Sequence, residues 1–225
     1  MRILITGDTG FLGPYLKTAF SGEIYGTSTK VCDLNNPEAV KIYLNGIDPE
    51  MIVHAAARTD VDGCEKQPSL AVRDNCGMVE NLVRYMAPDC RFIYISTDMV
   101  YSGIGHHKEH SKSENPINMY GMSKFIGEYS AAKAKNHLIV RTNMYGRALT
   151  TRRSSLVDFM LGKLKEGSPF NVFTDSLFSP LWAKTLAENL VKMARTNKIG
   201  TFNLGSTGGM SKAKFAMLLA DGMGL

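Results

Sequence analysis

A chain of 225 residues with 44% hydrophobic and 21% charged residues holds enough apolar material for one sizeable core, in one large domain or one and a half. Its formal charge of +5 and pI near 9.0 come from scattered Lys and Arg, densest at Lys133–Lys135 and Arg152–Arg153, which argues against a nucleic-acid partner and fits a small phosphate-bearing ligand. No apolar run approaches the roughly 18 residues that span a bilayer, no leader-like segment precedes Arg2, and Cys32, Cys64, Cys76 and Cys90 lack C-x-x-C spacing; a cytoplasmic protein with reduced thiols and no membrane partner is expected.

In chain order, RILIT (2–6) reads as an apolar strand and is followed by helix-period sequence over 11–20. The same pairing recurs as EIYGT with 37–46, MIVHAA with 68–87, RFIYIS with 117–135 and HLIVRT with 155–165. Such alternation predicts βαβ units, and strands that are apolar throughout predict burial on both faces. The fold class is therefore α/β, a Rossmann-type doubly wound parallel sheet. After about residue 143 the rhythm loosens into a short strand FNVF (170–173), a helix over 181–195, a strand TFNLG and a final helix from Ser211. The expected division is a dinucleotide-binding domain over 1–143 and a smaller, intertwined substrate lobe over 144–225.

The first strand runs into "LITGDTGFLGPYL", where Gly7, Gly10 and Gly13 recur at three-residue spacing and Thr9, Phe11 and Leu12 complete the loop. Glycine there permits a tight turn, close approach of a pyrophosphate to the backbone and close helix–strand packing, while the helix start offers unpaired N–H groups. In NAD-binding folds an acidic residue gripping the ribose diol closes the second strand, about 20 residues on. Here that strand ends in Ser28, Thr29 and Lys30, two hydroxyls and an ammonium that suit a 2′-phosphate. NADP(H) is thus preferred and NAD(H) is the alternative, with Asp33 a rival ribose ligand.

Two Y-x-x-x-K pairs follow, Tyr120/Lys124 and Tyr129/Lys133. An i, i+4 pair shares a helix face, so a lysine ammonium beside a phenol lowers its pKa toward proton exchange with a carbonyl or alcohol. The pairs lie nine residues apart, about half a turn around the helix, so one of them faces a site. Tyr120/Lys124 is chosen because it follows the strand end that carries Ser96, Thr97 and Asp98, the edge at which open α/β sheets bind ligands. His106, His107 and His110 fall in a charged, glycine-containing loop and read as solvated rather than metal-binding, so no metal site is assigned. His54 reads as a core histidine.

TGxxGxxG, HAAA, STD, Y-x-x-x-K and a late "FSPLWAKTLAENL" together resemble the extended short-chain dehydrogenase/reductase superfamily, and within it the dTDP-4-dehydrorhamnose reductases, over nearly the whole chain. The resemblance implies a catalytic triad of Thr97, Tyr120 and Lys124, with Tyr120 protonating the substrate carbonyl and Lys124 also holding the nicotinamide ribose. It further implies cofactor contacts from Ala55, Ala56 and Ala57 and from Asp33 and Leu34, with Asn75 a buried helper counted among them. Ser96, Asp98, Met99 and Asn143 are assigned to the substrate, a nucleotide sugar. Arg141 and Thr142 precede Asn143 where the resemblance puts further ligand contacts. Two departures stand out: "RTNMYG" lacks the tryptophan that usually follows Arg-Thr, and the chain is shorter than is usual in the family. The alternatives are an NAD-dependent sugar-nucleotide epimerase or dehydratase and a non-catalytic NADP-binding regulatory subunit; a homodimer is the oligomer considered.

Overall fold

The computed structural model describes residues 1–102, 107–109, 114–150 and 154–224. His106, His110, Arg152 and Arg153 lie outside the described residues. The elements run β1 (Arg2–Thr6), α1 (Gly13–Ala19), β2 (Glu23–Thr27), α2 (Pro37–Ile47), β3 (Met51–His54), α3 (Val61–Lys66), α4 (Pro68–Val72), a π-helical turn (Arg73–Gly77) and α5 (Met78–Tyr85). They continue with β4 (Arg91–Thr97), a 3-10 turn (Asp98–Val100), α6 (Met119–Ala131), β5 (Asn136–Thr142), β6 (Met144–Tyr145), α7 (Leu156–Glu166), β7 (Leu177–Phe178), β8 (Leu181–Trp182), α8 (Ala183–Ala194), β9 (Gly200–Leu204), β10 (Met210–Ser211) and α9 (Lys212–Asp221).

Six of the strands form one parallel sheet in the order β2-β1-β3-β4-β5-β9. The order reverses between β1 and β3, which opens a crevice beyond the carboxyl ends of the strands, where such sheets bind ligands. Register brings Thr6 beside Thr27 and His54, and Thr97 beside Thr142, along that edge.

Apolar strands are covered on both faces, as a parallel sheet requires. On one face Leu4, Ile52, Phe92 and Ile139 pack with Val40 and Leu44 of α2, Leu82 of α5 and Ala131 of α6. On the other, Ile3, Ile5, Val53, Ile93 and Val140 pack with Leu16 of α1 and Leu186 and Leu190 of α8. Side chains of this size each contribute about 1.5–3 kcal/mol when fully buried. Local signals agree with this packing. Asn36 caps α2 by accepting from the Glu38 and Ala39 amides, and Asn118 caps α6 by accepting from Gly121 N. Ser155 and Asp158 close a reciprocal capping box on α7.

The structure corrects several expected elements. FNVF is irregular: Phe173 O accepts a bond from Ala213 N, and the short strand lies later, at β7, paired with β10. The helix expected over 68–87 is broken into α4, the π turn and α5, and α3 precedes it. The helix expected from residue 11 starts at Gly13, since residues 7–12 are spent on the turn. After residue 143, α8 covers the main sheet and β9 joins it. What remains outside is a small cluster of Val157, Met160, Phe178, Phe215 and Ala216. Among the described residues no helix is long and apolar enough to cross a membrane.

Candidate active site

The glycine loop occupies the crevice between β1 and β3. Gly7 adopts φ +67°, and a Cβ there would meet the Cα and N of Ala56 at 2.8 Å. A Cβ on Gly13 would meet the Asp8 carbonyl at 2.4 Å. The loop is thus wedged against the end of β3 at a separation open to glycine. Beneath it the Ala56 amide donates to Thr6 Oγ1 at 3.2 Å, and Thr6 Oγ1 lies 2.7 Å from His54 Nδ1. Burial pulls His54 down to about 3, with the Lys124 charge adding to the effect, so the ring is neutral. It lies nearly parallel to Phe92 and Tyr94 as part of the core.

A cleft of about 700 Å³ runs from this loop across the sheet edge, a size typical of small-ligand sites. The loop contributes Gly7, Thr9, Gly10, Phe11 and Leu12; the segment after β2 contributes Ser28, Asp33 and Leu34; and Ala55, Ala56 and Ala57 follow β3. On the opposite wall stand Ser96, Thr97 and Met99 after β4, Tyr120 and Lys124 on α6, and Asn143 after β5. Thr29, read from the sequence beside Ser28, also lines it, as do Asn35, Thr59, Val61, Met78 and Leu156, five residues that no motif marks.

Three assigned residues fall outside the lining. Lys30 is exposed in a turn closed by the Val31 and Cys32 amides on Ser28 O. Asn75 is fully buried in the π turn, where its carboxamide accepts from Arg58 N at 2.8 Å and donates to Arg58 O at 3.1 Å and to Ser123 Oγ at 2.9 Å. Its carboxamide is thus spent on bracing the Arg58 backbone and Ser123. Asp98 turns aside: Asn143 Nδ2 donates to its two carboxylate oxygens at 2.9 and 3.2 Å, and the Thr97 hydroxyl donates at 3.2 Å. Burial raises the Asp98 carboxyl pKa, against the pull of Asn143, Thr97 and Lys212. Lys212, at the start of α9, was not anticipated, since only the folding of the lobe brings it toward Asp98. Ser96 lines the cleft, yet its hydroxyl donates to Glu128 Oε1 at 2.5 Å.

Tyr120 sits in the first turn of α6, which rides directly on the 3-10 turn; a Cβ on Gly121 would lie 2.2 Å from Met99 O. Burial pushes the Tyr120 phenol up to about 12, opposed by a hydrogen bond with Thr97. Lys124 is 2% exposed, and its ammonium lies 4.1 Å from the centroid of the Tyr94 ring. Burial pulls it down to about 7, opposed by Glu128 one turn along the helix. The expected depression of the phenol by Lys124 is therefore not what the protein alone produces, because desolvation dominates at both groups. Tyr129, of the second Y-x-x-x-K pair, is 63% exposed on the outer face. Arg141 is turned away from the cleft, pairing with Glu128 at 2.6 Å and Glu114 at 2.8 Å.

A parallel sheet whose switch-point crevice carries a glycine loop on one wall, and a Tyr-x-x-x-Lys helix with a strand-end threonine on the other, defines a Rossmann-type enzyme of the short-chain dehydrogenase/reductase kind. The chain belongs to the RmlD substrate binding domain family, whose pattern matches residues 1–225. It is 30% identical to the dTDP-4-dehydrorhamnose reductase of Escherichia coli K12 over 235 residues, covering 98% of this chain and 78% of that protein. It is 28% identical to the spore coat polysaccharide biosynthesis protein SpsK of Bacillus subtilis, covering 100% of this chain and 80% of that protein. The crystal structure of dTDP-4-dehydrorhamnose reductase from Bacillus anthracis in complex with NADP superposes with a TM-score of 0.91 at 30% identity, covering 100% of this chain and 81% of that one.

Proposed function

We propose that the protein is an NADPH-dependent reductase of a keto group on a nucleotide-activated sugar, of the dTDP-4-dehydrorhamnose reductase type, with NAD(H) as the alternative cofactor. The observation that carries this reading is the approach of Thr97, Tyr120 and Lys124 to one cleft shared with the glycine loop, in a chain 30% identical to such a reductase.

The cleft fits a dinucleotide. The positive φ of Gly7 and its closeness to Ala56 keep the loop flat against β3, which leaves the Thr9–Leu12 segment to receive a pyrophosphate and Ser28, Asp33 and Leu34 to receive the adenosine half. NADPH, when bound, supplies the hydride. Tyr120 keeps its proton to about pH 12, so the phenol is available to donate to the oxygen of a substrate carbonyl as negative charge develops there. The Thr97 hydroxyl, beside it, steadies the same oxygen. The Lys124 ammonium supports the ribose and, by its charge, stabilises a phenolate left after proton transfer.

Asn143 and Met99 line the same end of the cleft and serve the sugar, while Asp98 acts through Asn143. The part of 144–225 outside the main sheet serves as the substrate lobe, with Leu156 lining the cleft. The residue after Asp98 is Met99, a thioether that neither gives nor takes a proton, so elimination of water from a hexose lacks half of its acid–base pair. The test is incubation with dTDP-glucose and NAD⁺: this reading expects no product, and formation of dTDP-4-keto-6-deoxyglucose would replace it with a dehydratase.

A further inference from the structure

One turn along α6 from Lys124, Glu128 belongs to a buried ionic cluster that the proposed chemistry does not use. Glu128 and Arg141 meet in three contacts, at 3.0 Å and 3.2 Å from Nε and 2.6 Å from Nη2. Arg141 Nη1 reaches Glu114 at 2.8 Å and the Tyr101 hydroxyl at 2.9 Å. The side chains of Arg141, Glu128 and Glu114 are 4%, 6% and 18% exposed. Burial would raise the Glu114 carboxyl, and Arg141 overrides it, leaving Glu114 below its usual value and ionised. One guanidinium against two carboxylates leaves one surplus negative charge in a dry site, where an unbalanced charge is costly.

We propose that this Glu114–Arg141–Glu128 cluster is the electrostatic counterweight of Lys124, its surplus negative charge keeping the buried ammonium protonated and Glu128 acting as the positioning residue one helical turn away. The inference rests on the role given to Lys124 above.

Other titratable groups also face α6 from the elements packed against it. His54 from β3 is neutral and Tyr94 from β4 is held well above its ordinary value by burial. On the other elements packed against α6, Asp74 of the π turn pairs with Arg58 and Arg73, Asp98 accepts from Asn143, Glu80 faces Ser130 and Lys133, and Glu65 accepts from Met119 N. Cys64 and Cys76 are both raised by burial and stay neutral thiols, and Arg141 itself is of the wrong sign. The cluster also reaches β9 through Tyr101, which bonds Asn203 at 2.9 Å and stacks on His107, while Asn203 N bonds Glu109 at 2.8 Å.

The test is ¹³C NMR titration of the Lys124 ε-carbon in lysine-labelled protein, assigned with Lys124→Arg, beside the pH profile of kcat. In Glu128→Gln the Lys124 midpoint should drop by about one pH unit or more, and the alkaline limb of kcat should move with it. Glu114→Gln, which removes the same charge farther away, should give a smaller drop and answers the question should Glu128→Gln fail to fold. An unmoved midpoint in both variants overturns the counterweight, whatever the activity. A midpoint that drops while the alkaline limb stays put supports the counterweight and overturns the role of Lys124 as a cation in the reaction.

Discussion

Replacing Gly7 by alanine tests how tightly the loop is held. An L-residue in the left-handed region costs about 1–2 kcal/mol, and Gly7 sits at φ +67°. The new methyl would lie 2.8 Å from Ala56 N and Cα. That backbone cannot retreat freely, because the Ala56 amide is bonded to Thr6 Oγ1. Overpacking of this kind costs about 1–3 kcal/mol, so Gly7→Ala should lose about 2–5 kcal/mol, a large share of the roughly 5–15 kcal/mol that holds a domain together. Gly46 is the internal control. It lies within α2, and a Cβ there meets nothing within 4 Å, so Gly46→Ala should gain about 0.5–1 kcal/mol. Urea unfolding of both variants reads the difference, and NADPH titration should show weakened binding in Gly7→Ala alone. Equal stabilities for the two variants would refute the reasoning.

Further outcomes follow from the same geometry. Tyr120→Phe should lower kcat by about 10²–10⁴ with little change in NADPH affinity, whereas Tyr129→Phe, on the exposed face, should leave steady-state turnover intact. Lys30→Ala should weaken NADPH more than NADH, but because Lys30 is exposed the loss should stay within about fivefold and fade in high salt, as a titration in two buffers would read. Asn75→Ala should cost about 2–4 kcal/mol in urea unfolding, since it strips the part-buried Arg58 backbone and the buried Ser123 of a partner. His54 titrates near 6.5 when unfolded and about 3 when folded, so the unfolded chain takes the proton first. Stability should therefore fall as pH drops from 6.5 toward 3, by about 1.4 kcal/mol per unit from this group, and His54→Gln should flatten the urea midpoint over that range.

The main sheet was legible because its strands are apolar on both faces and separated by helix-period sequence: RILIT and EIYGT match β1 and β2 end to end. The glycine loop was legible because its three glycines follow directly on β1. The small lobe was not, since β6, β7, β8 and β10 have two residues each, too few for any periodicity to show. Nor does spacing reveal what a side chain does once folded. Lys30 has the right charge in the right loop and faces solvent, while Ser96 and Asp98 stand at the right strand end with their polar atoms taken by Glu128 and Asn143. Glu128 and Lys212 went unassigned because burial and pairing, not motif, give them their charge environment, and Arg141, expected among the ligand contacts, is instead taken up by Glu128 and Glu114.

The central claim is that this cleft reduces a keto sugar with NADPH through Tyr120. The direct measurement is NADPH oxidation, followed by absorbance, on addition of dTDP-4-dehydrorhamnose to the purified protein and to its Tyr120→Phe variant, with the sugar product identified by mass spectrometry. The account predicts one NADPH consumed for each keto sugar reduced by the parent protein, and turnover lower by about 10²–10⁴ in the variant. Binding of NADPH without consumption, or equal turnover by the two proteins, would contradict it.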